Sequence, residues 1–368
     1  MHSTQLSLAL PSEQAANAAI TVGLFFGGRS AEHEVSIRSA ATIHAALRQA
    51  GYWVVPIGIE QGGAWRYMPL NGDAFHRAVD ARACAVTLAP GGAGQLLACD
   101  GADASHALPR IDVAFPALHG PFGEDGSLQG LLEMLDLPYV GSDVLSSATC
   151  MDKLTLKRLL AGQGIPQVDF VAVGEAGWRE RCAELGTPLW VKPSRMGSSV
   201  GITRIEDLTA LDAAVETALR HDPRVIVEAS ARGREIECSV LGNEDPRTSL
   251  PGEIMAHAEW YDYEAKYGEG GMDLAVPAPI SEVETARVRE LAAEVFRLAG
   301  CSGLARCDFF VEPDGTVLVN EINTMPGFTE TSVYAKLLEA GGLSYPDLCD
   351  RLVGLAIERH RRARSYEF

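Results

Sequence analysis

The sequence predicts a mixed α/β protein that opens on a Rossmann-like βαβ unit and carries a β-hairpin towards its end. Three observations carry this reading. Residues 21–59 follow a βαβ pattern, and Asp314-Gly315 separates two apolar, β-branched runs as a hairpin turn would. Between them, short strands alternate with amphipathic helices and glycine-bearing loops.

The 368 residues suffice for two or three domains with ample core. Apolar content is ordinary at 47%, which fits a soluble globular chain. No apolar run approaches the roughly 18 residues a membrane span needs. The first 20 residues lack a basic segment followed by an apolar block and read as a loose tail, not a signal peptide. A net charge of −18 argues against a nucleic-acid partner, whose phosphates call for basic surface. The eight cysteines are scattered without CxxC spacing, which fits a reducing compartment better than a disulfide framework.

Thr21–Phe26 is a buried strand, Ser36–Ala50 has helical spacing and stops before Gly51, and Trp53–Ile59 is a second strand. The loop Gly27-Gly28-Arg29-Ser30-Ala31-Glu32-His33 lacks the G-x-G-x-x-G of a dinucleotide site. It is either a binding loop at a strand's carboxyl end or a structural turn. Residues 60–110 show no strong period and are expected to be less regular. Ile111–Leu118 is strand-like and runs into His119 and Glu124, a candidate histidine–carboxylate pair. Helical spacing follows at Leu128, Leu131, Leu132 and Leu135.

A helix is expected from Met151-Asp152-Lys153 to about Gly162. A strand over Pro188–Val191 then leads into Lys192 and the loop 194–201, and Ile202–Ile205 returns antiparallel. Such a loop can lay backbone N–H groups over phosphates while Lys192 supplies a point charge. Gly197-Ser198-Ser199-Val200-Gly201 also matches the nucleophile elbow of serine hydrolases, but that motif needs a helix directly after it, where Ile-Thr-Arg-Ile stands here. Residues 207–219 read as an amphipathic helix, and Val225–Glu228 and Glu235–Leu241 as strands. The polar stretch 256–280 has the length of a functional lid or of a disordered segment. Ser281 and Glu284 form a capping box that opens a helix. The last helix, about Tyr345–Arg362, has a basic end.

With Asp314-Gly315 as a two-residue turn, Asp308 stands across from Glu321 and Arg306 across from Asn323, all on one face. Opposed Cβ atoms lie about 5 Å apart and like charges there repel. Either the face carries solvated charges, or it holds a divalent cation; its hard oxygens suit Mg²⁺, which takes phosphate oxygens and water as further ligands.

Taken together, the stretches GGRSAEHEVS, LHGPFGEDGSLQG, MDK, VKPSRMGSSVG, YDYEAKY and RCDFF…NEINTMPGFTETS resemble the ATP-grasp superfamily and, within it, the D-alanine–D-alanine ligase family, from Thr21 to about Arg362. The resemblance implies an ATP-grasp fold: an N-terminal Rossmann-like domain over 21–142 after a tail at 1–20, a small central domain over 143–227, and a C-terminal mixed-sheet domain over 228–368 with a lid at 256–280. It implies ATP contacts from Lys153, Lys192, Ser199, Glu228, Ala231, Glu235 and Lys266. Residues 229–231 are small, so adenine would rely there on backbone groups. Two Mg²⁺ ions, or Mn²⁺ in their place, would sit on Asp308, Glu321 and Asn323. Glu32 and His119 would receive the first D-alanine, Gly327 and Ser332 the carboxylate of the second, and Arg306 the oxyanion. Ser198 and the lid's Tyr267 would complete a chain to Glu32. The implied reaction is ATP-dependent formation of D-alanyl-D-alanine through an acyl phosphate, for peptidoglycan precursors, by a homodimer in a bacterial cytoplasm. Two rivals stand beside it: a related carboxylate–amine or D-alanine–D-lactate ligase, and a nucleotide-binding regulator without catalysis.

Overall fold

A computed structural model of the chain describes residues 20–68, 75, 79–99, 108–256 and 272–367. Tyr267, Lys266, most of the expected lid and the N-terminal tail lie outside these residues.

The first sheet has the order β3-β2-β1-β6. Strands β1 (Thr21–Gly27), β2 (Trp53–Ile59) and β6 (Val113–Pro116) run parallel, and β3 (Trp65–Tyr67) is antiparallel to β2. As expected of parallel strands covered on both faces, β1 is buried from Val22 onward. One face packs on α1 (His33–Gln49), which begins three residues before the expected start, and on the C-terminal helix α9 (Tyr345–Ala363). The other face packs on α2 (Ser127–Met134), through Leu128 and Leu132. Within 60–110 the described residues hold more regular structure than expected: besides β3 they form a small hairpin, β4 (Val86–Leu88) with β5 (Leu96–Ala98). These three-residue strands are too short to show a period.

The second sheet, β7-β10-β8-β9, comprises β7 (Phe170–Ala172), β10 (Val225–Ala229), β8 (Leu189–Pro193) and β9 (Thr203–Ile205). Its odd-numbered residues, Val191, Val225 and Val227 among them, pack on α5 (Trp178–Leu185) and α6 (Leu211–Leu219). Its even-numbered face carries Lys192 and Glu228 and meets α4 (Lys153–Gly162) through Leu154 and Ile226. Helix α3 (Val144–Met151), which the sequence reading missed, precedes α4 and is capped by Asp143.

The third sheet has the order β14-β13-β11-β15-β16, with β12 (Arg247–Thr248) beside β11. Its members are β11 (Arg234–Gly242), β13 (Gly252–Ala256), β14 (Met272–Ala275), β15 (Gly303–Val311) and β16 (Val317–Asn323). Ile236, Cys238, Ala305, Cys307, Phe309, Val319 and Ile322 bury one face against Val288, Leu291, Val295 and Phe296 of α7 (Glu282–Leu298). That helix opens with the expected capping box, reciprocal between Ser281 and Glu284. The opposite face is polar at one end, where Glu237, Arg306 and Asp308 stand at the candidate site, and apolar at the other, where Leu241 and Leu304 join the core with Phe328 and Tyr334. A short helix absent from the sequence reading, α8 (Val333–Ala340), follows the Pro326–Ser332 turn.

Candidate active site

A cavity of about 310 Å³ lies between the second and third sheets. Lys153, Lys192, Ser198, Ser199, Glu228 and Ala231 line one side, and Glu235, Arg306, Asp308 and Glu321 the other.

Strand pairing sets the acidic side. Asp308 of β15 is paired with Glu321 of β16 and with Glu237 of β11, so three carboxylates form a row across the sheet. Arg306, paired with Asn323, projects beside them. Its Nε and Nη2 donate to the two Asp308 oxygens at 2.8 and 2.7 Å, and its Nε stands 2.9 Å from Glu237 Oε2. Burial pulls the guanidinium's pKa down, but Asp308 and Glu237 outweigh it and hold it well above the ordinary arginine range. The expected Asp308–Glu321 and Arg306–Asn323 pairs are present, although the expected turn is not. The loop spans Pro313-Asp314-Gly315 and closes on Glu312, whose N–H donates to Thr316 O at 2.8 Å. That puts Phe309 opposite Val319, one residue off, and an extra residue, Asn320, restores the register before Glu321. The strand is bulged beside the candidate carboxylates Asp308 and Glu321.

The row can take a divalent cation. Asp308 and Glu321 offer hard carboxylate oxygens and Asn323 an amide oxygen. Among the described residues no group of three or more acidic, histidine or cysteine side chains is poised as a metal cluster. A set of two carboxylates and an amide suits Mg²⁺, which keeps places for phosphate and water.

On the basic side, Asp152 caps α4 by accepting from Thr155 N at 3.1 Å and also accepts from Ser194 Oγ at 2.7 Å. Ser194 in turn takes Leu154 N, so the start of α4 is tied to the glycine–serine loop. Lys153 Nζ donates to Met196 O at 2.9 Å and lies 3.9 Å from Glu321 Oε2. Ser198 and Ser199 have φ of 49° and 59°, a left-handed conformation that costs a non-glycine residue and concentrates at functional loops. A strand, not a helix, follows the loop, which removes the hydrolase elbow.

Ser198 Oγ donates to Glu32 Oε1 at 2.5 Å and so joins this loop to the first sheet. Glu32 is buried beside Gly120, whose φ is 72° and where an added Cβ would stand 2.9 Å from Glu32 Oε2. His119 and Glu124 do not form the pair that their closeness in sequence suggested. His119 lies between Ser39 Oγ at 3.3 Å and Met325 O at 3.0 Å, while Glu124 accepts from Gly120 N at 2.8 Å. The turn after β6 sends the two side chains to different partners. Burial first, then the charge of Glu32, push the Glu124 carboxyl up to about 8. A raised carboxyl binds its proton more tightly in the folded chain, so its stabilisation is complete below the ordinary 4.5 and is lost as pH rises through 8. Metal-free Glu124→Gln should therefore gain stability relative to wild type as pH rises from about 4.5 to 8. Denaturation midpoints across that range check this, and a constant offset would contradict it.

At the far end, Ser332 stands at the N-cap of α8 without capping it. Its Oγ instead accepts from Thr329 N at 2.9 Å and lies 2.7 Å from Thr329 Oγ1. Ser332 gives the start of α8 no side-chain cap, and a Cβ added at Gly327 would stand 3.4 Å from Ser332 Oγ, so the turn and the open helix start lie together, a place suited to a carboxylate.

Two further residues escaped the sequence reading. Lys157 follows Lys153 by one helical turn and is 1% exposed, with Nζ 3.2 Å from Glu228 Oε1. Glu237 follows Glu235 by two residues and shares its face. Spacings of four on a helix and two on a strand were the available signals. Glu228 also accepts from Lys192 Nζ at 2.6 Å. Burial raises its carboxyl, but Lys157 and Lys192 outweigh burial and bring it to about 2.

Residues 21–142 match the family model "D-ala D-ala ligase N-terminus" and residues 159–354 match "D-ala D-ala ligase C-terminus". The chain is 43% identical over 355 residues to D-alanine–D-alanine ligase A of Salmonella typhimurium, covering 93% of this chain and 97% of that protein. The solved D-alanine–D-alanine ligase of Coxiella burnetii superposes with a TM-score of 0.83 at 39% identity, covering 94% of this chain and 96% of that one. The VanG D-Ala:D-Ser ligase of Enterococcus faecalis superposes with a TM-score of 0.81 at 35% identity, covering 92% and 99%.

Proposed function

The chain belongs to the D-alanine–D-alanine ligase family, and on that footing we propose how its residues divide the work. It has the family's ATP-grasp fold and is an ATP-dependent ligase: two D-alanines become D-alanyl-D-alanine, a peptidoglycan precursor, with release of ADP and phosphate. A carboxylate is a poor electrophile, so the first D-alanine is phosphorylated to an acyl phosphate, and the amine of the second displaces phosphate from it.

Lys153, Lys192 and the 194–201 loop bind and orient the phosphates, and Glu228, Ala231 and Glu235 the nucleoside. Asp308, Glu321 and Asn323 hold Mg²⁺, or Mn²⁺ in its place. A metal held by these three residues would supply positive charge and Lewis-acid polarisation at the phosphates. Glu32, held by Ser198 beside His119, takes the ammonium of the first D-alanine. The open first turn of α8, with Ser332 and the Gly327 backbone, takes the carboxylate of the second. Arg306 stabilises the oxyanion as the peptide bond forms. The observation that carries this reading is one continuous site. It runs from Glu32 through Ser198 into a cavity with lysines on one wall and the Asp308–Glu321 row on the other. The division into 21–142, 143–227 and 228–368, a homodimer and a bacterial cytoplasmic location belong to the same reading.

Tyr267 is proposed to select the second substrate, its neutral phenol leaving a pocket acidic enough to favour an ammonium over a lactate hydroxyl. Losing one hydrogen bond costs about 1 kcal/mol, a several-fold effect. Tyr267→Phe should remain a ligase, bind the second D-alanine several-fold more weakly, and make detectable D-alanyl-D-lactate at pH 6. Product ratios from mixtures of D-alanine, D-serine and D-lactate between pH 6 and 9 test this. Mainly depsipeptide from wild type at neutral pH would overturn the substrate assignment, and identical ratios for both proteins would remove Tyr267 as selector.

A further inference from the structure

Helix α4 carries a buried lysine that phosphate binding does not use. Lys157 is 1% exposed, so its ammonium does not reach solvent along its stem. Its neighbours on the helix, Leu154, Leu156 and Leu160, are apolar and equally buried. An apolar residue would satisfy the packing. The ammonium instead points at Glu228, 3.2 Å from Oε1, with the Phe170 ring 5.9 Å away. Glu228 is 3% exposed and has a full counter-charge already in Lys192, 2.6 Å from Oε2. One buried carboxylate thus takes a second cation, fully buried, beside Lys192, at a cost in desolvation.

That second cation has a use once Lys192 is shared with a phosphate. The Glu228 carboxylate, which lines the cavity, would then lose part of its pairing with Lys192 in a medium of low dielectric. Lys157, which is not among the cavity-lining residues, stays with it. An ionised carboxylate only accepts hydrogen bonds, whereas a protonated one can also donate. An acceptor-only group next to Ala229–Ala231 favours a purine with an amino group at position 6 and repels one with a carbonyl there.

We propose that Lys157 is a positioning residue that holds Glu228 as an acceptor-only carboxylate and so sets the preference for a 6-amino over a 6-oxo purine nucleotide. This rests on the nucleotide placement proposed above. The test is the ratio of kcat/KM for ATP to that for ITP, which differ at position 6, in wild type and in Lys157→Met. Calorimetric titration of ADP and IDP into the same proteins gives the same comparison without turnover. Met fills the stem's volume and leaves the neutral Glu228–Lys192 pair, and Lys157→Gln is the second variant if Met does not fold. The ratio should fall roughly ten- to a hundredfold, the worth of a hydrogen bond to a charged group, with the KM for D-alanine unchanged. Glu228→Gln, whose amide both donates and accepts, should relax the preference in the same direction. A wild-type ratio retained in the folded Lys157 variant overturns the inference, even if binding of both nucleotides weakens together. If wild type does not distinguish ATP from ITP, the nucleotide placement itself fails.

Discussion

Glu321→Gln should abolish ligation and weaken Mg·ATP binding while leaving the fold intact. Glu321 faces Asp308 across the bulged hairpin, and its side chain is one-third exposed (34%). Without metal, two carboxylates at such a pair repel by a few tenths to about 1 kcal/mol, so the metal-free variant should be as stable as wild type or slightly more so. In the proposed metal site, the variant would lack one of two anionic ligands where negative charge gathers. Turnover should fall by at least about a hundredfold. Phosphate release at millimolar Mg²⁺ and titration of the nucleotide with and without metal measure the two effects. Normal turnover would sink the metal assignment.

Arg306→Met should damage both stability and catalysis. Arg306 bridges Asp308 and Glu237 on adjacent strands, and its side chain is only 17% exposed. Removing it takes the guanidinium away from between two largely buried carboxylates, a loss of about 3 kcal/mol in metal-free buffer. A cation at Asp308 replaces part of the missing charge, so Mg²⁺ should raise the variant's thermal midpoint more than it raises that of wild type. Turnover should still fall by about 10²–10³, because a metal would not replace the donor that the proposed role of Arg306 gives to the oxyanion. Equal Mg²⁺ stabilisation of both proteins would contradict the electrostatic reading of the acidic row.

The hairpin shows what the sequence made legible and how. The pairs Asp308–Glu321 and Arg306–Asn323 follow from a two-residue turn, yet the loop has three residues and the bulge at Asn320 compensates. The apolar pattern carried the correction: Val317 and Val319 share a parity that Ile322 breaks, and all three are buried. A phase change within one strand means a bulge. Composition and period were enough for the βαβ opening, the capped helix α7 and the glycine–serine loop, because each depends on local chemistry. The short strands of 60–110 and helix α8 depend on what they pack against. Lys157 was hidden for another reason: a lysine four residues after a lysine reads as a solvated helix face until a buried carboxylate is found opposite it. Glu124 looked like a partner for His119 because they are close in sequence, and only the turn geometry shows that it accepts from Gly120 N beside Glu32 instead.

The central claim is that a D-alanine carboxylate is activated as an acyl phosphate in the cavity between the two sheets. The most direct measurement uses D-alanine labelled with oxygen-18 in its carboxylate, with ATP and Mg²⁺, and follows the label into phosphate by mass spectrometry. Forming the acyl phosphate and then displacing phosphate with the second amine transfers one carboxylate oxygen per turnover. The account predicts one labelled phosphate for each D-alanyl-D-alanine formed, and no dipeptide from L-alanine. Unlabelled phosphate accompanying dipeptide, or phosphate released without dipeptide, would contradict it.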